Sequence, residues 1–173
     1  MRSVIPVARS VQSVRMAELY LKYLEPKRDW LTKIRWFYGP SGTGKSRTAR
    51  EIFKDRDYYT TMRNGKWWEG YDGHENIIID DIREHSYKYE DMLAMLDRYE
   101  FRVECKGGSR QLLAKEIIIT CPKHPEELFA FSGEDNTQLI RRIHEIREFN
   151  DEIIISQEDI EHASFQQENE EIY

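Results

Sequence analysis

Eight consecutive residues restrict the possible folds of this chain more than any other stretch. They read Gly-Pro-Ser-Gly-Thr-Gly-Lys-Ser over 39–46 and match the phosphate-binding pattern G-x-x-x-x-G-K-[ST] at every position. An apolar run over 34–38 precedes them, and residues 46–54 follow with apolar side chains at helical spacing. Because strand, glycine-rich loop and helix stand in the order that the mechanism requires, a chance glycine turn is the weaker interpretation.

The loop residues have distinct predicted tasks. Glycines allow backbone N–H groups to surround phosphate oxygens, and the start of the helix adds positive potential. We expect Lys45 to reach the β- and γ-phosphates of a nucleoside triphosphate and the Ser46 hydroxyl to ligate Mg²⁺. A nucleoside triphosphate and Mg²⁺ are therefore the predicted cofactors. The predicted nucleotide-binding residues are Gly39, Pro40, Ser41, Gly42, Thr43, Gly44, Lys45 and Ser46.

Two apolar runs each end in polar residues, which we expect at the same edge of the sheet. Ile77–Ile79 precede Asp80 and Asp81, and a second isoleucine triplet over 117–119 precedes Thr120. Such runs are typical of strands buried on both faces of a parallel sheet, whose carboxyl ends share the edge where the phosphate loop lies. Asp80 is placed to hold Mg²⁺ directly or through water, and Asp81 to orient and polarise the attacking water. Thr120 is a candidate to sense the γ-phosphate or that water. The predicted metal ligands are Ser46 and Asp80.

Composition places the chain among globular proteins of one domain. It has 173 residues, of which 39% are hydrophobic and 34% charged. It has neither an apolar run of membrane-spanning length nor an apolar secretory signal, so we expect an intracellular location and no membrane partner. Its two cysteines are too few for a disulfide framework and have no Cys/His partners at metal-ligand spacing.

The net charge of −6 hides an uneven distribution. Residues 151–173 carry eight acids and no Lys or Arg, and without them 26 basic residues face 24 acidic ones. An acidic chain of this kind can still bind nucleic acid through a local basic loop.

The remaining patterns predict three regions: an N-terminal helical segment over 1–25 with its helix at 11–24, a core over 26–150, and an acidic tail over 151–173. The helix carries an apolar stripe that packs either on its own domain or on a neighbouring subunit. Further helices are expected over 86–99, capped by Ser86, and over 126–131 and 137–143. Further strands are expected over 58–61, 101–106, 111–115, 146–149 and 153–155.

A basic hairpin tip and an arginine pair complete the candidates. Lys106 and Arg110 flank Gly107 and Gly108, where a nucleic-acid backbone could approach closely, although an ordinary solvated tip is the alternative. Arg141 and Arg142 are adjacent on a predicted helix, so at most one of them can face a given active site.

The ordered motifs resemble the helicase domain of circovirus-type replication initiator proteins (Rep), a superfamily 3 group. They are the phosphate loop, Lys-Trp-Trp-Glu-Gly-Tyr, Ile-Ile-Ile-Asp-Asp, Val-Glu-Cys-Lys-Gly-Gly, Ile-Ile-Ile-Thr and Leu-Ile-Arg-Arg-Ile, and they cover about residues 26–150. The resemblance implies an AAA+ fold, in which a central parallel sheet is flanked by helices. It also implies ATP as the nucleotide, a hexameric ring and ATP-driven translocation on single-stranded DNA in rolling-circle replication, in the host nucleus.

The resemblance also assigns roles to individual residues. Lys106 would grip DNA phosphates in the central channel, and Arg142, with Arg141 as the substitute, would be an arginine finger for the adjacent subunit. Two features depart from the family. Cys121 and Pro122 stand where an Asn often follows the sensor residue, and the His-x-His site of the nuclease domain is absent. We therefore expect a truncated piece whose partner would be the nuclease domain of the same initiator. The alternatives are a small-molecule kinase and an ATP-binding module for ring assembly.

Overall fold

The computed structural model describes residues 10–61, 67–105, 108–133 and 135–150. Within these ranges, no helix is both long and apolar enough to cross a lipid bilayer. In chain order the elements are α1 (Val11–Leu24), β1 (Lys33–Tyr38), α2 (Lys45–Ile52), β2 (Tyr58–Thr60), β3 (Asn76–Ile79), α3 (Tyr89–Leu96), β4 (Arg102–Cys105), β5 (Gly108–Gln111), β6 (Glu116–Cys121), α4 (Pro125–Leu128), a 3₁₀ turn (Ala130–Ser132), α5 (Thr137–Ile140) and β7 (Glu145–Glu148).

The centre of the fold is a five-stranded sheet in the order β2-β3-β6-β1-β7. Every pair of neighbouring strands in it is parallel. All five carboxyl ends therefore lie at one edge of the sheet, called here the carboxyl edge, and all five amino ends lie at the opposite amino edge. With the phosphate loop directly after β1, this is the P-loop NTPase fold of AAA+ type, so the predicted fold class is confirmed.

Both faces of the sheet are buried, as the isoleucine triplets predict. All six isoleucines of β3 and β6 have no exposed surface. On one face, Ala49 and Phe53 from α2 and its end pack with Phe37, Ile78 and Ile118. The larger opposite cluster adds Met92, Met95 and Leu96 of α3 and an aromatic group of Tyr59, Trp68 and Tyr71. Each fully buried isoleucine contributes about 1.5–3 kcal/mol relative to an exposed one, which makes these central strands the stable base of the site.

The lengths of three helices differ from the sequence prediction. α3 starts at Tyr89 and ends at Leu96, so the predicted bounds of 86–99 were wrong. Ser86 instead accepts a hydrogen bond from the Arg83 N–H (3.0 Å) within a turn, and Asp97 ends the helix in an extended conformation. Tyr99, the last residue of the predicted helix, lies beyond α3 and is 66% exposed. The last two helices are also shorter than predicted, since α4 ends at Leu128 and α5 at Ile140.

A buried arginine holds the end of α3 at the amino edge. Arg28 is 1% exposed, and its guanidinium donates to the carbonyl oxygens of Met95 (2.9 Å), Tyr99 (2.9 Å) and Ala94 (3.4 Å). A cation at this position satisfies the carbonyl groups that the last turn of a helix leaves without partners. Burial lowers the pKa of Arg28 to about 10, while Tyr71 and Asp97 oppose that shift, so the side chain stays charged near neutral pH.

The end of α1 is fixed to the hairpin formed by β4 and β5. Glu25 is 7% exposed and accepts hydrogen bonds from Arg110 Nε (2.8 Å) and from the Gln111 N–H (2.8 Å). By contrast, Met16 and Tyr20 of the apolar stripe are 61% and 63% exposed. Within the described ranges, these two side chains are thus not covered by their own domain, whereas Val14 and Ala17 of the same stripe are partly buried. The neighbouring-subunit interpretation stays a prediction. The predicted strand over 153–155 and the tail lie outside the described residues, and the three-region division also stays a prediction.

The end of β7 restricts the first glycine of the phosphate loop. The Phe149 N–H donates to the Tyr38 carbonyl (2.7 Å), and a Cβ on Gly39 would lie 1.9 Å from the Phe149 carbonyl oxygen. Gly42 has open space around the same position, although both glycines have positive φ, at +135° and +92°.

We expect Gly39→Ala to lower the free energy of unfolding by about 3 kcal/mol or more, because it adds a backbone clash to an unfavourable φ. Gly42→Ala is the matched control, with an expected loss of about 1–2 kcal/mol from φ alone. Denaturant unfolding without nucleotide measures both, and equal losses would contradict the role of β7 in fixing this loop.

Candidate active site

A cleft of about 310 Å³ opens at the carboxyl edge of the sheet. Its walls come from the phosphate loop with the start of α2, from the segment after β3, and from the end of β6 with the residue that follows. The lining residues are Ser41, Gly42, Gly44, Lys45, Ser46, Arg47, Asp80, Asp81, Arg83, Thr120 and Pro122. The predicted parallel sheet therefore places the loop, the acidic pair and Thr120 around one space.

Lys45 lies inside its own loop. It is 8% exposed, and its Nζ donates to the Gly39 carbonyl (2.7 Å) and to the Pro40 carbonyl. Thr43 Oγ1 lies 3.4 Å from the same nitrogen. The loop thus holds the ammonium group beside the cleft, where its positive charge favours the binding of phosphate oxygens.

Thr120 joins the two aspartates of the site. Its Oγ1 donates to Asp80 Oδ1 (2.8 Å) and accepts from the Asp81 N–H (2.7 Å), and the residue is only 1% exposed. Ser46 Oγ donates to the same oxygen of Asp80 at 2.5 Å. One carboxylate oxygen is therefore shared by hydroxyls from α2 and β6, which fixes the spacing between the phosphate loop and β3.

The donor set around Asp80 fits Mg²⁺. The Ser46 hydroxyl and the Asp80 carboxylate are oxygen ligands, which this hard cation prefers, and they already lie in contact. Across the part of the chain that the structure describes, no cluster of three or more His, Cys, Asp or Glu residues could hold a metal ion. A magnesium ion at this site would thus be held by Ser46 and Asp80 together with phosphate and water oxygens.

Asp81 has an unusual backbone conformation. Its φ of 55° lies in the left-handed region, which few residues other than glycine adopt. The hydrogen bond to Thr120 supports this backbone, and Arg83 Nη2 lies 2.7 Å from Asp81 Oδ1. The side chain is only partly buried, at 36% exposure, and lines the cleft where a water molecule can reach it.

Two arginines near the aspartates were missed by the sequence analysis. Arg50 Nη2 lies 3.2 Å from Asp80 Oδ2, and Arg83 pairs with Asp81. Arg50 follows Ser46 by four residues, so the helical repeat places both on the face of α2 toward Asp80, and this spacing could have revealed it. Arg83 had no comparable signal, because it lies in an irregular segment.

The arginine pair lies at the opposite edge of the sheet. Arg142 stands between α5 and β7, and the next-but-one residue, His144, donates its N–H to the Ile34 carbonyl near the amino end of β1 (2.9 Å). Gly39 follows Ile34 by five residues, or about 16 Å along a strand. Arg142 Nη2 contacts Asp97 Oδ2 at 2.6 Å and Nη1 donates to the Gln138 carbonyl at 2.6 Å. Arg141 is exposed. The structure thus brings neither arginine into its own chain's cleft.

The basic hairpin is only partly described. β4 and β5 pair antiparallel, with Cys105 opposite Gly108, while Lys106 and Gly107 lie outside the described residues. Arg110 is directed inward and pairs with Glu25 (2.8 Å) and with Asp72. Burial disfavours its charge, but hydrogen bonds to these two carboxylates raise the pKa of Arg110 above its ordinary value. These contacts give Arg110 a structural role that the sequence analysis did not expect.

The cysteines have no catalytic features. Burial raises the pKa of Cys121, directly after Thr120, to about 11, and burial also raises the pKa of Cys105. Both thiols are therefore protonated near neutral pH and are poor nucleophiles.

Comparison with known proteins identifies the family. A family model described as RNA helicase matches residues 35–122. The replication-associated protein of goose circovirus is 39% identical over 122 residues, which cover 70% of this chain and 40% of that protein. The corresponding protein of porcine circovirus 1 is 37% identical over 118 residues, covering 68% and 38%. The replication protein of Onion yellows phytoplasma (strain OY-M) is 33% identical over 110 residues, covering 59% and 29%.

The chain spans about two fifths of the length of the circovirus relatives named above. Among solved structures, NtrX from Brucella abortus in complex with ATP is similar, with a TM-score of 0.46 and 16% identity over 83% of this chain and 38% of that one. The family model covers half of the chain, and the site lies within the matched residues. This chain therefore belongs to the RNA helicase family, as a superfamily 3 helicase domain of the kind found in circovirus replication-associated proteins.

Proposed function

We propose that this domain is the ATP-dependent DNA helicase of a rolling-circle replication initiator, and that it works as a hexameric ring on single-stranded DNA. The observation that carries the proposal is the division of the site between two edges. Lys45, Ser46, Asp80, Asp81 and Thr120 meet at the carboxyl edge, whereas Arg142 lies at the amino edge. The relatives' name, replication-associated protein, supports DNA as the substrate. The host nucleus, which the family resemblance implies, is the location that we propose.

The cleft supplies the groups that ATP hydrolysis needs. Lys45 and the loop N–H groups bind the phosphates. Ser46 and Asp80 would hold Mg²⁺, which would supply positive charge to neutralise the phosphate oxygens. Asp81 orients a water molecule for attack on the γ-phosphorus, and the bond to the β–γ bridging oxygen breaks as the new P–O bond forms. Thr120 keeps the Asp80 side chain and the Asp81 backbone in place through one hydroxyl.

Arg142 completes the site of an adjacent subunit in this proposal. Two residues after it, the His144 N–H donates to the Ile34 carbonyl near the amino end of β1, and Ile34 lies about 16 Å along the strand from Gly39. An in-chain role for Arg142 would therefore need the sheet itself to rearrange. A heterologous ring interface places one face of a subunit against a different face of the next. An amino edge and a carboxyl edge from neighbouring subunits can therefore meet there, with Arg141 as the alternative finger.

The link to DNA rests on the hairpin. β4 and β5 lie close to the amino edge, because the Ala114 carbonyl, three residues after β5, accepts hydrogen bonds from Trp30 and Thr32 just before β1. The connection between them carries Lys106, which we propose as the phosphate contact. The alternative functions differ in turnover, because a small-molecule kinase consumes ATP only with its acceptor and a ring-assembly module consumes almost none.

We expect Lys45→Ala to lower kcat for ATP hydrolysis by at least about 100-fold, because the charge that stabilises the transferring phosphoryl group is lost. Lys54→Ala is the matched control, since Lys54 follows the same helix, is exposed and pairs only with Glu51 (2.6 Å) in the described contacts. Steady-state ATPase assays with Mg²⁺ measure both, and thermal unfolding verifies the fold. Retained turnover in folded Lys45→Ala would reject the site assignment.

Mixing two inactive variants tests the role in trans. Arg142→Ala subunits keep a complete cleft, and Lys45→Ala subunits keep the finger. At equal ratio, about one quarter of the interfaces combine both intact parts, so about a quarter of wild-type turnover should return. Arg141→Ala, mixed in the same way, shows which arginine acts. No recovery at any ratio for either arginine would argue against a finger from the neighbour.

Lys106→Ala should leave basal ATPase activity nearly unchanged and weaken binding to single-stranded DNA. Losing one phosphate contact should reduce the salt slope of log K by about 0.7. Lys115→Ala is the control, because Lys115 is exposed and pairs with Glu75 (2.7 Å) away from the connection. Fluorescence anisotropy from 50 to 200 mM salt measures the slope. An unchanged slope would contradict a DNA contact at Lys106 and favour an ordinary solvated turn.

A further inference from the structure

The proposed finger is already ordered by a carboxylate of its own chain. Arg142 Nη2 lies 2.6 Å from Asp97 Oδ2, and Nη1 donates to the Gln138 carbonyl at 2.6 Å. The Arg142 side chain is 16% exposed and that of Asp97 31% exposed. A guanidinium has five N–H donors, and the Nε of Arg142 is buried, so the second N–H of each Nη nitrogen remains for a phosphate oxygen. The Arg142 side chain is thus oriented and still has N–H donors available.

The position of Asp97 is fixed by the core and by hydrogen bonds. It directly follows α3, whose Met92, Met95 and Leu96 belong to the core, and Arg28 fixes the last-turn carbonyl groups of that helix. Its other oxygen, Oδ1, accepts the Arg98 N–H at 2.7 Å. Burial disfavours the charged carboxylate, but hydrogen bonds from Arg142 and Arg98 and the charges of Arg142 and Arg28 hold the pKa of Asp97 below its ordinary value. Asp97 is therefore a fixed anion near neutral pH.

The element that carries Arg142 needs such a support. α5 has only four residues, Thr137–Ile140, and Arg142 lies two residues beyond it. An unsupported arginine side chain loses considerable rotamer entropy when it is fixed in a transition state. A carboxylate that fixes the guanidinium before ATP reacts lowers the entropy that the side chain loses in the transition state.

We propose that Asp97 is the positioning residue of the arginine finger, and that it orients the Arg142 guanidinium toward the nucleotide bound by the adjacent subunit. This inference rests on the proposed role of Arg142 in trans. Asp97 touches no nucleotide and acts only through Arg142. A partly exposed ion pair contributes little to folding, so replacing the carboxylate should change the finger more than the fold.

Asp97→Asn in the full chain tests the proposal. We expect kcat for ATP hydrolysis by the ring to fall about tenfold with little change in KM, because the nucleotide-binding cleft of each subunit is intact. Asp29→Asn is the matched control, since Asp29 is a nearby exposed carboxylate whose partner is Arg98 (3.6 Å) rather than Arg142. Its turnover should equal that of the wild type.

Subunit mixing separates positioning from a structural defect. Asp97→Asn subunits should regain turnover with Lys45→Ala subunits, which bring a normal finger, and should not regain it with Arg142→Ala subunits. A second outcome is that Arg142→Ala subunits regain turnover with Lys45→Ala subunits while Asp97→Asn subunits regain it with neither variant. In that case Asp97 is a structural residue, so the positioning role fails while the trans role of Arg142 stands. Unchanged or increased turnover in Asp97→Asn would also overturn it. If Arg142→Ala itself does not recover, the proposed trans role fails and this inference fails with it.

Discussion

The parallel pairing of β1 with both β6 and β7 is the constraint on which the rest of the molecule depends. β1 pairs parallel with β6 on one side and with β7 on the other, with Trp36 opposite Ile119 and Ile146, so the three strands run in one direction and end at one edge. That direction places the phosphate loop beside Thr120 and Asp80 at the carboxyl edge. It also places the start of β7, and with it Arg142, at the amino edge. A single chain therefore carries the phosphate loop and Arg142 at opposite edges of one sheet, which cannot meet within one subunit.

Sequence patterns predicted the parts of the site that depend on local spacing. The phosphate loop, the two isoleucine triplets and the bounds of α1 follow from periodicity that neighbouring residues impose, and the structure places Asp80 and Thr120 together as expected. One failure is local, because the strand predicted over 111–115 is β5 at Gly108–Gln111. The other failures concern partners distant in sequence. Whether Arg110 faces solvent or Glu25 depends on a contact between residues 85 positions apart, and the end of α3 depends on Arg28, which precedes it by more than 60 positions. No local pattern reports such contacts.

Buried charges at the amino edge explain why the segment before β1 is part of the core. Glu25 and Arg28 are 7% and 1% exposed, and removing a charge from water is costly unless hydrogen bonds replace the lost hydration. Glu25 finds them on β5 and Arg28 on the end of α3. The segment 25–28 is thereby fixed to two elements at once, although Met16 and Tyr20 in the apolar stripe of α1 just before it remain exposed.

The same segment connects the finger to the hairpin. Arg28 holds the Met95 carbonyl two residues before Asp97 and the Tyr99 carbonyl three residues before β4. Residues 95–102 therefore form a short, fixed path from the anion that holds Arg142 to the first strand of the hairpin. If DNA binds the hairpin as proposed, this backbone path links the bound strand to Asp97. In the proposed ring, Arg142 would act on the nucleotide of the next subunit, so a displacement of the hairpin would change the reaction in a neighbouring cleft, as a translocating ATPase requires.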